Sequence, residues 1–304
     1  MMPEVLTFGE VMAVLYPSVP VPLEEATVLT LSIAGAEANV AIALSRLGHQ
    51  ARFLGRVGED PFGRLIRRTL AAEGVETTYL LDDRSAPTGV FFREWLADGL
   101  RRNYYYRAHS AASRLVPEDV SPEAFADIRI LHLTGITPAL SPSCAASVAW
   151  AIEQAHRVGA LVSFDPNYRP QLWETQRARA TLLPLMAQAD LLLMSHEDGQ
   201  ALLGVDDDEA LARAAALGAR IVVLRKAERG ASALVEGKIV AVPAEPVEAV
   251  VDPVGAGDGF NAGFLASWLR GDTVEGALHL GARVGAASVA TVGDYAGYPR
   301  EVER

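Results

Sequence analysis

Four short apolar runs, Ile128–Leu133, Leu161–Phe164, Leu191–Met194 and Ile221–Leu224, recur through the middle and later part of the chain, with helical segments between them. A strand this uniformly apolar is buried on both faces, which requires helices over both sides of its sheet. The same alternation starts earlier. Val5–Phe8 reads as an opening strand, Ala36–Leu47 as a small-residue helix stopped by Gly48, Ala51–Leu54 as the next strand, and Phe62–Ala72 as a helix ending before Gly74. The pattern predicts an α/β fold: a doubly wound, mostly parallel sheet flanked by helices, with its ligand site at the carboxyl ends of the strands. No repeat, low-complexity tract or linker divides the 304 residues, so one unit spanning 1–304 is expected.

Two stretches break the alternation. Residues 11–33 carry Pro17, Pro20 and Pro22 and then an extended segment from Val28 to Ile33. Residues 88–107 read as a β-hairpin, with Val90, Phe91, Phe92 and Trp95 on one arm, Tyr104–Tyr106 on the other, and a turn at Asp98-Gly99. Together they form either a small sheet acting as a lid or a surface hairpin without a role. Excursions from a rigid scaffold commonly carry function, which favours the lid.

Bulk properties narrow the partners. The net charge is −11 and no stretch is strongly basic, which argues against nucleic acid as the main partner. The single cysteine, Cys144, rules out a disulfide within the chain and fits a reducing compartment. No apolar run reaches 18 residues, and Met1–Glu10 lacks a basic region followed by an apolar core, so a cytoplasmic protein with no membrane partner is expected.

The most informative segment runs from Val250 to Phe264. Pro253 disfavours helix at Asp252, Gly255 and Gly257 allow close backbone approach, and residues from about Gly257 to Arg270 suit a helix. A loop feeding a helix N-terminus offers unpaired N–H groups and the positive end of a dipole, a site for an anion. Phosphoryl transfer needs positioned charge and a base aligned with the acceptor hydroxyl, and Asp258 in the first turn can be that base. Taken alone, Asp258 is better explained as a helix-start acid that stabilises the dipole, and the two glycines and the proline at tight spacing shift that balance without deciding it. Rival glycine motifs fail: Phe260 stands where a dinucleotide fingerprint needs its third glycine, and Gly237-Lys238 is followed by Ile239 rather than Ser or Thr.

This run resembles the C-terminal signature of the ribokinase-like (PfkB) carbohydrate kinases. Ala34-Gly35-Ala36-Glu37-Ala38-Asn39-Val40-Ala41 with Leu47-Gly48 resembles that family's N-terminal signature. The resemblance covers nearly the whole chain. It implies a ribokinase-like fold with a β lid, ATP and Mg²⁺ as cofactors, and a homo-oligomer joined through the lid; it leaves a monovalent cation open. It also implies residue roles. Asp258 is the base, and Gly255, Ala256 and Gly257 form the anion hole. Gly35 contacts the sugar, and Asn39 either orients the sugar or bonds locally. Asn167, Ser195, Arg225, Gly230, Gly255 and Gly257 fall on the nucleotide side, and Asp198 is an indirect metal contact. Two departures stand out: Ala227 replaces a family glycine after the strand ending at Leu224, and Ser195 replaces an asparagine.

Within the family, Phe91, Tyr105, Arg107, Arg169 and Asp294 stand where 2-keto-3-deoxygluconate kinases carry substrate contacts, with Phe91 in place of a common tyrosine. Two arginines converging on one pocket could clamp a carboxylate. The implied reaction is phosphorylation of a primary hydroxyl of that sugar acid. The alternatives are a kinase for a neutral sugar such as fructose or ribose, and a silent sugar-binding regulator.

Overall fold

The structure, a computed structural model, describes residues 4–96 and 101–300; the turn expected at Asp98-Gly99 lies outside them. The chain opens with β1 (Val5–Phe8), β2 (Met12–Pro17), β3 (Leu29–Ala34), α1 (Ala36–Arg46), β4 (Ala51–Gly58), α2 (Pro61–Ala72) and β5 (Leu80–Asp83). It continues with β6 (Val90–Trp95), β7 (Arg101–Tyr106), β8 (Ile130–Thr134), α3 (Ile136–Leu140), α4 (Pro142–Val158) and β9 (Leu161–Asp165). Then come α5 (Thr175–Met186), β10 (Leu191–Ser195), the single turn α6 (His196–Asp198), α7 (Asp207–Ala215) and β11 (Ile221–Arg225). The hairpin β12 (Ala231–Val235) and β13 (Lys238–Val242) precedes α8 (Ala256–Arg270) and α9 (Val274–Val289).

Nine strands form one sheet in the order β13-β12-β11-β10-β9-β8-β1-β4-β5. Every pair from β11 to β5 is parallel, and β12 and β13 add an antiparallel edge. That edge escaped the sequence reading. Its turn is Glu236-Gly237, with φ of 49° and 74° at the two positions, a turn that suits a two-residue hairpin but usually announces itself as Asn-Gly or Asp-Gly. Alternate residues of each central strand enter opposite cores. Val5, Ile130, Leu193 and Val223 pack under α1, α2, α8 and α9, while Leu6, Leu131, Leu192 and Val222 face α4, α5 and α7. Each such fully buried side chain contributes roughly 1.5–3 kcal/mol, which makes this layer a rigid support for loops at the strand ends.

The two excursions build a second, four-stranded sheet in the order β3-β2-β6-β7. It is mixed: β2 pairs antiparallel with β3 and parallel with β6, and β6 pairs antiparallel with β7. Period-2 alternation turns Phe91 and Arg93 of β6 inward; Phe91 packs against Met12, Val14 and Ala34, and both residues are buried. Among the described residues no helix is long and apolar enough to cross a membrane.

Candidate active site

The carboxyl ends of β9, β10 and β11 and the N-terminus of α8 meet at one place. Gly255 caps α8 with φ 82°, a left-handed conformation, and its Cα lies against the Asp294 carbonyl oxygen, so a side chain there would be both strained and blocked. Tyr298 donates its hydroxyl hydrogen to the Gly255 carbonyl at 2.7 Å. The Ala256 N–H turns back to Pro253 O at 3.3 Å, and the Gly259 N–H closes the first helical bond onto Gly255 O at 2.8 Å. Helix geometry then leaves the Gly257 and Asp258 N–H groups without an intrahelical acceptor. Of the three amides expected to form an anion hole, that of Gly257 is therefore open, with Asp258 as its companion, while that of Ala256 is engaged. A Cβ at Gly257 would meet nothing nearer than the Arg225 guanidinium carbon at 3.8 Å, so open space rather than packing lies beside this glycine.

Asp258 is buried, and Asn39 of α1 donates to its Oδ2 at 2.8 Å, joining the two signatures across 219 positions. Burial pushes the Asp258 carboxyl up to about 7, against the pull of the Asn39 hydrogen bond. Asn39 Oδ1 has no hydrogen-bond partner among the described residues, an unused acceptor beside the carboxylate. Helix α1 begins at Gly35, whose Cα abuts the Glu10 carbonyl; close packing against Glu10 thus gives a reason for glycine there besides a sugar contact.

Arg225 does not stand free to meet phosphate. It donates to Asp165 Oδ2 at 3.0 Å, to Gly257 O at 3.3 Å and to Asn261 Oδ1, while Asn261 donates to the same Asp165 oxygen at 2.7 Å. The guanidinium thus ties the ends of β9 and β11 to the first turns of α8. Asp165 also accepts from the Asn167 N–H at 3.0 Å, which folds the Pro166-Asn167 turn and holds Asn167 at φ 39°. Asp198 accepts the Tyr168 N–H at 2.8 Å and the Ser195 N–H at 2.9 Å, and Ser195 Oγ accepts the Asp198 N–H at 3.1 Å. Ser195-His196-Glu197-Asp198 is therefore a reciprocal helix cap, a task that serine performs as well as asparagine. Burial and the neighbouring Asp165 carboxylate raise the Asp198 carboxyl. Gly230 is fixed by packing: its N–H goes to Ala227 O at 3.0 Å and its Cα faces the Val242 carbonyl of β13.

The substrate-side residues divide. Arg107 pairs with Glu10, whose other oxygen accepts from Ser110 Oγ at 2.8 Å, and it lies 5.5 Å from the centre of the Tyr105 ring. Tyr105 is partly exposed and lies 5.1 Å from Phe91, which is itself almost fully covered. Arg169 is exposed, and its charge reaches Asp258. Asp165, four residues before Arg169 in the chain, binds Arg225 instead. Asp294 is held in a two-pronged pair by Arg93 of β6 at 3.0 and 3.1 Å.

Several residues of this region carry no assigned role in the sequence: Arg93, Asp252, Asn261, Glu10 and Glu37. Arg93 had a signal, since an arginine two positions from Phe91 on a strand shares its inward face. Glu37 is fully buried at the start of α1 with Thr134 and Thr137 hydroxyls at 2.7 and 3.0 Å, and burial pushes it up to about 7. Beyond the loop, residues 245–251 and α9 border an open groove of about 560 Å³ lined by Val247, Val251, Ala286, Ala287 and Ala290, with Glu245, Glu248 and Arg283 among its walls.

Residues 2–301 match the family described as pfkB family carbohydrate kinase. The 2-dehydro-3-deoxygluconokinase of Bacillus subtilis (strain 168) is 33% identical over 302 residues, 97% of this chain and 92% of that protein. A fructokinase of Klebsiella pneumoniae is 39% identical over 237 residues, 76% of this chain and 75% of that protein. Among solved structures, a putative ribokinase II from E. coli in complex with ATP and Mg²⁺ superposes with a TM-score of 0.90 at 26% identity, covering 98% of this chain and 96% of that one.

Proposed function

Because the chain belongs to the pfkB family of carbohydrate kinases, we propose that it transfers the γ-phosphoryl group of ATP to a primary hydroxyl of 2-keto-3-deoxygluconate or a close relative. The observation that carries the phosphoryl-transfer part is the pair Asn39–Asp258 beside the open amide of Gly257. A carboxyl raised to about 7 is a competent acceptor for a hydroxyl proton near neutral pH. In the proposed step Asp258 takes that proton, the sugar oxygen bonds to the γ-phosphorus, and ADP leaves. The Gly257 and Asp258 amides at the positive end of α8 meet the charge on the transferring group.

The residues fit ATP and its metal. Mg²⁺ neutralises phosphate oxygens when bound, and it keeps several waters. Asp165 and Asp198, buried carboxylates at the strand ends, are the residues that would hold it, directly or through those waters. The groove under α9 follows directly from the loop through Val251 and suits the apolar face of a nucleobase.

The sugar-acid part rests on the relative from B. subtilis and on Arg169, an exposed cation near Asp258. A neutral-sugar kinase is the second reading, favoured by one observation: the charge of Arg107 is already met by Glu10. An ATP-coupled assay across 2-keto-3-deoxy sugar acids, fructose and ribose separates them. The expected result is turnover of the acid, with Arg169→Gln raising its KM by about tenfold or more, as loss of a charge-assisted pair would. Turnover of neutral sugars alone overturns the sugar-acid reading.

The same proposal takes 1–304 as one kinase unit working in the cytoplasm, supported by ATP use and the single cysteine. A homo-oligomer through the small sheet is part of it too, supported by the exposed Leu31 on edge strand β3 and Tyr104–Tyr106 on edge strand β7.

A further inference from the structure

We propose that Arg93 and Arg101 are positioning residues through which the small sheet sets the phosphate-binding loop. Both arginines leave the small sheet, from β6 and β7, and both reach the segment that leads into Gly255. Arg93 grips Asp294 with two nitrogens at 3.0 and 3.1 Å and stands 3.7 Å from Asp252 Oδ2. Its Nε donates to Asn103 Oδ1 at 3.3 Å, which fixes it to β7 as well. Arg101 meets Asp252 Oδ1 at 3.3 Å and donates to the Val251 carbonyl.

The two carboxylates they hold are built into the bed of the loop. Asp252 accepts the Val254 N–H at 3.2 Å on Oδ1 and the Gly293 N–H at 3.1 Å on Oδ2. One side chain thereby joins the stretch before Gly255 to the stretch after α9. Asp294 follows Gly293, and its carbonyl is the atom packed against the Gly255 Cα. Asp252, Asp294 and Arg93 are all buried, so water screens little of their mutual charge. Without the guanidinium groups, two carboxylates would repel each other beneath a loop that must receive a polyanion. With them, the turn at Asp252, the Gly293-Asp294 segment and the left-handed cap of α8 are drawn into one arrangement. The small sheet therefore does more than cover the sugar: its position is transmitted to the amides of Gly257 and Asp258.

This inference rests on the reading that those amides meet the transferring phosphoryl group. The test uses Arg93→Met, Arg93→Ala, Arg93→Lys and Arg101→Met, the last at a less buried position and so less exposed to loss of folding. With ATP and the accepted sugar, each Met variant is expected to lose about tenfold or more in kcat while the sugar KM changes by less than about threefold. Arg93→Lys should recover part of the loss, and millimolar guanidinium should partly restore Arg93→Ala. Unchanged kcat in Arg101→Met and in a folded Arg93→Met overturns the proposal. A loss confined to sugar KM also overturns it, because Arg93 would then be a direct substrate contact. Asp258→Asn in the same assay keeps the two levels apart. If it retains full activity, the phosphoryl-transfer reading fails; if it is inactive while the arginine variants are silent, only the coupling fails.

Discussion

Asp258 combines two properties that oppose each other at the scale of one residue. It is buried, which favours its neutral form, and it accepts a hydrogen bond from Asn39 at 2.8 Å, which favours its charged form. Burial prevails and leaves the carboxyl at about 7. A base must be deprotonated to work, so activity should rise with pH through about 7 and level off above it. Asn39→Ala removes the contact that lowers the value, and the midpoint of that rise should move up by about 1–2 pH units, as loss of a hydrogen bond to a charged group implies. The pH dependence of kcat/KM for both proteins measures it. A midpoint that stays in place would assign the rise to another group. The helix start at Asp258 was legible in the sequence because glycine and proline spacing are local, whereas its reading as a base came from the family resemblance. Its Asn39 partner could be named but not its role, since only the fold brings positions 219 apart into contact.

At the scale of elements, the loop before α8 puts Gly255 in a left-handed conformation and engages one of the three amides that the resemblance implied. Three consecutive residues were expected to share the anion hole. The backbone instead turns the Ala256 N–H to Pro253 O and leaves Gly257 and Asp258. Sequence spacing alone does not reveal which N–H groups a turn consumes. Gly255 is the position on which this geometry depends. Gly255→Ala should cost at least about 1–2 kcal/mol from the left-handed conformation alone. The collision with the Asp294 carbonyl adds to that cost. A thermal melt should show Tm lowered by several degrees, with kcat falling further than the lost stability explains. An unchanged Tm in the Gly255→Ala variant would contradict the described cap. Arg225 gives a second lesson at this scale. The resemblance placed it on the nucleotide side, yet three of its N–H groups go to Asp165, Asn261 and Gly257, and that network depends on three elements far apart in sequence.

Across the whole molecule, the parallel strands β1, β4 and β8–β11, though not their order and not β5, were written in the short apolar runs, because burial on both faces leaves a one-dimensional trace. The antiparallel edge and the parallel β2–β6 pairing of the small sheet left none, since strand direction and partners are set by tertiary packing. The same limit explains why Arg93 and Asp252 were passed over: each is ordinary in its own segment and acquires meaning only where the two sheets meet. What the fold adds to the signatures is convergence, with α1, α8, three strand ends and the small sheet all meeting around Asp258 and Gly257.

The most direct measurement is single-turnover ADP formation by Asp258→Asn at saturating ATP and saturating concentration of the sugar that the unaltered protein accepts. The account predicts a rate lower by about 10²–10⁴-fold, the usual worth of a positioned general base, with ATP affinity little changed. A rate equal to that of the unaltered protein would contradict it.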